Sequence, residues 1–133
     1  MSGETDFSSL VNLASAARKN AYSPYSEFSV GAALETASGE IFCGCNVENL
    51  SFGLTICAER VAVGQAILMG HRNFSRIAVV ASSEEPVVPC GACRQVLAEF
   101  AEELEVVCAT VSGKVTRFEL SALLPVPKQG ILG

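Results

Sequence analysis

Basic residues are scarce in this chain. Nine Lys and Arg stand against fourteen Asp and Glu, for a formal net charge of −5 at pH 7 and a pI near 4.8. No Lys/Arg cluster is present that could follow a phosphate backbone, so nucleic acid is not an expected partner. Long apolar runs are missing too. None approaches the roughly 20 residues of a membrane span. The stretch from Met1 to Leu10 is polar and acidic, without the basic and apolar regions of a signal peptide. No membrane partner and a cytoplasmic location are expected. Repeats, linkers and low-complexity segments are also absent, and 133 residues suit a single domain, 1–133.

Apolar residues, by contrast, are plentiful. They make up 50% of the chain and raise the mean hydropathy to +0.39, which is high for a soluble monomer of this size. Some apolar surface is therefore expected between subunits, in an oligomer. Six cysteines could form three disulfides, but a cytoplasmic chain with a proper core does not need them. There, Cys-x-x-Cys more often signals metal or redox chemistry.

Apolar spacing predicts an amphipathic, peripheral helix over Asp6 to Lys19, with Thr5 or Asp6 available as N-cap. Ala21 to Glu27 reads as an extended connection leading into a strand from Phe28 to Glu35. Ser38-Gly39 turns the chain into an antiparallel strand, Glu40 to Asn46, followed by a loop from Val47 to Leu54. Thr55 to Met69 is apolar on almost every face, as for a helix buried all round or split between core and subunit contact, and Gly70 stops it. Further elements are a strand from Arg76 to Ser82, a helix from Gly91 to Glu102 and strands from Glu105 to Thr110 and Lys114 to Phe118. A helical turn from Leu120 to Leu124 ends the series. Helices alternating with short apolar strands predict an α/β fold, a five-stranded mixed sheet layered between helices.

Two short pieces carry the chemistry: Cys57-Ala58-Glu59-Arg60 and Pro89-Cys90-Gly91-Ala92-Cys93-Arg94-Gln95, each read as a first helical turn. A Cys-x-x-Cys with a third cysteine upstream offers three thiolates to one ion, which suits tetrahedral Zn²⁺. Cys57, Cys90 and Cys93 are the candidate ligands. Three ligands leave one position for a water whose pKa the metal lowers. Glu59, two residues after the first ligand, can lie beside that water without binding the metal and move its proton. Helix N-termini also stabilise thiolates. A closed four-cysteine site, with Cys43 or Cys45 as fourth ligand, is the competing reading, although it gives Glu59 no task.

The two motifs resemble those of the zinc-dependent nucleobase deaminases. With cysteine rather than histidine at position 57, the chain is similar to the branch acting on free nucleosides, the cytidine deaminases. The likeness runs from about Ala21 to Pro125. It implies a three-layer α/β/α fold and a homotetramer with one Zn²⁺ per subunit. It further implies hydrolysis of cytidine and 2′-deoxycytidine to uridine and deoxyuridine plus ammonia, in pyrimidine salvage. Zinc hydroxide would attack C4 while Glu59 carries protons to N3 and to the departing amine. The same resemblance makes Arg60 and Arg94 hydrogen-bond donors to the sulfurs, with Gln95 beside them. It sets the Ala58 N–H against the pyrimidine O2, Phe28 against the base, and Asn46 and Glu48 on the sugar 3′-hydroxyl. The ordinary readings are a core Phe28, a turn-forming Asn46 with a solvated Glu48, and helix-surface arginines.

Two departures stand out. Phe52 occupies a position where the family commonly has tyrosine, and no aromatic follows Phe118, whereas relatives usually carry a phenylalanine in the tail. Ile131 or Leu132 is the available apolar substitute. The altered tail supports one alternative, deamination of a modified or bulkier cytosine nucleoside, and a non-catalytic zinc-stabilised binding domain is the alternative from another class.

Overall fold

The computed structural model describes residues 7–128. Thr5, Asp6, Ile131 and Leu132 lie outside them, so the expected N-cap and tail cap do too. Five strands form one sheet in the order β2-β1-β3-β4-β5. They are β1 (Val30–Thr36), β2 (Ile41–Cys45), β3 (Phe74–Ala81), β4 (Glu105–Thr110) and β5 (Val115–Glu119). The β3/β4 pair is parallel and the other three are antiparallel, the mixed sheet expected.

Side chains alternate across the pleat, and each central strand feeds two cores. Ala32, Leu34, Ile77, Val106 and Cys108 face α2 (Ala58–Leu68) and α3 (Gly91–Phe100), with α4 (Leu120–Leu123) closing that layer. Ala33, Ala78, Val80, Val107 and Ala109 face α1 (Ser8–Arg18). Helix α1 is amphipathic as expected and covers this second core from the outside. Its Leu10 and Ala14 are buried, and its backbone comes so close to β1 that a Cβ on Gly31 would lie 1.9 Å from the Ala14 carbonyl oxygen. Helix α2 in turn is not buried all round. Gly64, Gln65 and Leu68 form an exposed face, with Leu68 82% accessible.

The sheet end at which β1 begins and β2 and β3 finish is where both cysteine motifs start their helices. There β1 and β2 are each shorter than expected. Asn46 Oδ1 accepts the Val30 N–H at 2.9 Å and its Nδ2 donates to the Phe28 carbonyl at 2.9 Å, so a side chain takes over from the ladder beyond the last backbone rung, Asn46 N–H to the Val30 carbonyl at 3.3 Å. The loop beyond it forms a bridge between Val47 and Ile56 and a 3₁₀ turn over Phe52–Leu54, which delays α2 to Ala58. Helix α2 then rests on β2 where a Cβ on Gly44 would lie 2.4 Å from the Ala58 carbonyl oxygen.

Candidate active site

Cys57 is the N-cap of α2 and Cys90 the N-cap of α3, both extended, with ψ of 155° and 168°. Cys93 follows in the first turn of α3 and is buried. All three sulfurs lie within 4.8 Å of one another, and Cys57 Sγ is 3.8 Å from Cys90 Sγ. Zinc–sulfur bonds of about 2.3 Å in tetrahedral array set sulfurs about 3.8 Å apart, so the spacing fits the ion. The electrostatics fit as well. Cys57 is lowered to about 5, by a hydrogen bond from Cys93 and then by Arg60 and Cys90. Cys93 is pushed far up, first by that same bond to Cys57, then by burial and by Glu59. Cys57 and Cys93 therefore do not readily ionise side by side, a repulsion that a cation between them removes.

Cys43 belongs to the core cluster under α1, and Cys45 lines a groove with residues of α1 and α2. Among the described residues, then, the sulfur cluster has three members and no fourth ligand.

Glu59, in the first turn of α2, is 5% exposed and borders a cavity of about 260 Å³. Burial raises its carboxyl to about 7, the Cys57 charge adds to this, and Arg60 opposes it. Phe28, Asn46 and Glu48 line this cavity together with Cys57, Ala58 and Cys90. Phe28 is 37% exposed there, so it is not a core residue. The N–H of Ala58 opens α2, among the first four that a helix leaves without an internal partner. The Glu48 carboxylate is held in place although open to solvent. Its Oε1 accepts the N–H groups of Tyr25 at 3.0 Å and Ser26 at 3.1 Å, and its Oε2 accepts the Ser26 hydroxyl. Those donors, the Ser26 hydroxyl foremost, keep its pKa below the usual carboxylate value.

The two arginines part company. Arg60 reaches Cys57 Sγ at 3.8 Å and the Thr55 carbonyl at 3.2 Å, and its buried Nε has no partner. Arg94 instead donates to the carbonyls of Pro89 at 2.8 Å and Leu123 at 3.1 Å, so the sulfur contact that the resemblance implied for it is replaced by a clamp on the chain end. Gln95 turns the same way, to the Pro127 carbonyl at 3.3 Å. Its amide holds the tail instead of the sulfur cluster. Tyr25, Ser26 and Thr55 were not anticipated at the site. They line a neighbouring cavity of about 370 Å³ together with Glu48 and Phe52. The only local signal was the pair of serines and tyrosines in a stretch read as a connection.

Comparison with known proteins agrees with this geometry. The profile of the cytidine and deoxycytidylate deaminase zinc-binding region matches residues 5–110. A cytidine deaminase of Sporosarcina psychrophila is 46% identical over 121 residues, covering 90% of this chain and 89% of that protein. One from Halalkalibacterium halodurans is 47% identical over 117 residues, covering 87% and 89%. The crystal structure of cytidine deaminase from Burkholderia pseudomallei superposes with a TM-score of 0.88 at 48% identity, over 92% of this chain and 98% of that one.

Proposed function

Because the chain belongs to the cytidine and deoxycytidylate deaminase family, we propose that its cavity takes cytidine and 2′-deoxycytidine and yields uridine, deoxyuridine and ammonia. It is a zinc-dependent hydrolytic deaminase. Cys57, Cys90 and Cys93 hold the ion. When bound, zinc supplies a Lewis acid that makes water a nucleophile near neutral pH.

The remaining work falls to the chain. Glu59 receives a proton from the attacking water, passes it to N3 of the base, and serves the departing 4-amino group in the same way. Burial beside the sulfurs suits a carboxyl that must both take and give a proton. Phe28 lies along the base, and the Ala58 N–H faces O2. Glu48, with Asn46, accepts the sugar 3′-hydroxyl, and its negative charge disfavours a 5′-phosphate. Arg60 offsets the excess negative charge of three thiolates.

The observation that carries this reading is a buried glutamate bordering the same cavity as two of three clustered cysteines. Its test is the ultraviolet absorbance change of cytidine with zinc-loaded protein. Wild type should convert cytidine, whereas Glu59→Gln should keep its zinc and lose roughly two to four orders of magnitude in turnover. Zinc-loaded wild type that leaves cytidine unchanged would overturn the reading.

A homotetramer in the cytoplasm completes the proposal. Leu50, Phe52 and Leu54, at 77%, 75% and 66% exposure, put apolar surface beside the site, as a subunit boundary requires. All six cysteines are free, which suits a reducing compartment. No described helix is long and apolar enough to cross a membrane.

A further inference from the structure

We propose that Ser26 is a positioning residue for nucleoside recognition, its hydroxyl, itself fixed by the Phe28 N–H, aiming the Glu48 carboxylate at the sugar hydroxyl. The inference rests on the reading of Glu48 as acceptor of the sugar 3′-hydroxyl.

A serine hydroxyl has one proton and two lone pairs. The Phe28 N–H lies 3.0 Å from Ser26 Oγ and can only donate, so it takes a lone pair. The proton is left for Glu48 Oε2, the second partner of Oγ. Its direction is therefore dictated by the chain. An ionised carboxylate offers about four acceptor directions. On Glu48 the Tyr25 and Ser26 amides fill both on Oε1, and the Ser26 hydroxyl fills one on Oε2. One direction remains, on Oε2, for a single hydroxyl donor. Ser26 and Glu48 both border the cavity that holds Glu59, which places that free direction within reach of a bound sugar.

The backbone supports the arrangement at a cost. Glu27, between Ser26 and Phe28, has φ of 57°, a left-handed conformation uncommon outside glycine. Its N–H donates to the Ser23 carbonyl at 3.0 Å, and the Ser23 and Ser29 hydroxyls are 2.8 Å apart, so the segment is fastened on both sides of the strained residue. Ser26 itself is exposed. Core packing does not account for its two hydrogen bonds, and an alanine there should leave the fold intact.

The test measures KM and kcat for cytidine, and the competitive Ki of 3′-deoxycytidine, for zinc-loaded wild type, Ser26→Ala, Ser26→Thr and Glu48→Gln. Ser26→Ala should raise KM for cytidine roughly tenfold while kcat stays within about twofold, because a hydrogen bond to a charged group used in binding is lost. The Ki of 3′-deoxycytidine should change by about twofold or less, since that ligand lacks the hydroxyl being aimed at. Ser26→Thr, which keeps the hydroxyl, should restore most of the affinity. An unchanged KM in Ser26→Ala, or an equal loss for both ligands, overturns the proposal. If Glu48→Gln meanwhile still weakens cytidine more than 3′-deoxycytidine, the reading of Glu48 survives that failure. If Glu48→Gln weakens both alike, the reading of Glu48 has failed and the role of Ser26 falls with it.

Discussion

Among the six cysteines, position rather than residue type decides which can share an ion. Cys57, Cys90 and Cys93 converge from two helix starts, while Cys43 packs under α1 on the far side of the sheet. Protein purified from Cys57→Ala should therefore lose its bound zinc, whereas Cys43→Ala should keep about one ion per chain, the complement of a three-cysteine site. Metal analysis of the two variants checks this, and loss from both would revive the four-cysteine reading. The ligands were legible in the sequence because Cys-x-x-Cys and Cys-x-Glu are local spacings, and a helix start turns local spacing into geometry. The arginines were legible only in part. Arg60 and Arg94 each follow a cysteine motif, but a guanidinium is a long fork that finds carbonyls as readily as sulfur, and Arg94 meets Leu123, 29 residues away. The donors to Glu48 lie 22 and 23 residues upstream of it, beyond any local pattern.

At the scale of elements, the order and type of every strand and helix could be read from apolar spacing, while the ends could not. Side chains and bridges settled those: the Asn46 side chain takes over from the β1/β2 ladder, and Ile56 pairs with Val47 before α2 can start. Close backbone contact was equally invisible. Gly44 lets α2 sit directly on β2, and a methyl group there meets the carbonyl of Ala58 and the amide of Ala62, at 2.4 and 2.6 Å. Gly44→Ala should thus cost about 1–3 kcal/mol of stability by overpacking and also depress kcat, since the displaced turn carries Glu59. Thermal unfolding and turnover measured together check both effects.

The two hairpin turns repeat one device. Thr36 and Thr110 each hold Ser38 or Ser112 by their hydroxyls and accept the N–H of Glu40 or Lys114, and Gly39 and Gly113 have φ of 94° and 109°. Alanine at either glycine should cost a similar amount, roughly 1–2 kcal/mol, for forcing a side chain into the left-handed region. Markedly unequal losses in denaturant unfolding would show that the likeness is only geometric.

For the whole molecule, five of the fifteen exposed large apolar side chains among the described residues, Val47, Leu50, Phe52, Leu54 and Ile56, gather on one loop. The proposed tetramer predicts that Leu50→Asp lowers the mass of the assembly in sedimentation without reducing zinc content, because it places a charge on exposed apolar surface and removes no ligand. An assembly of unchanged mass would move the subunit boundary elsewhere.

The sulfurs of Cys57 and Cys90 are separated by 33 residues of chain, and that interval contains all of α2 and β3. An ion that joins them is also a knot in the thread. It closes a loop whose ends the unfolded chain would otherwise keep apart, a constraint worth about 4 kcal/mol if it acts as a disulfide of that span does. Stripping the ion with a chelator should therefore do more than silence the enzyme. It should untie the catalytic helix from its neighbour and lower the melting temperature well before any residue is changed.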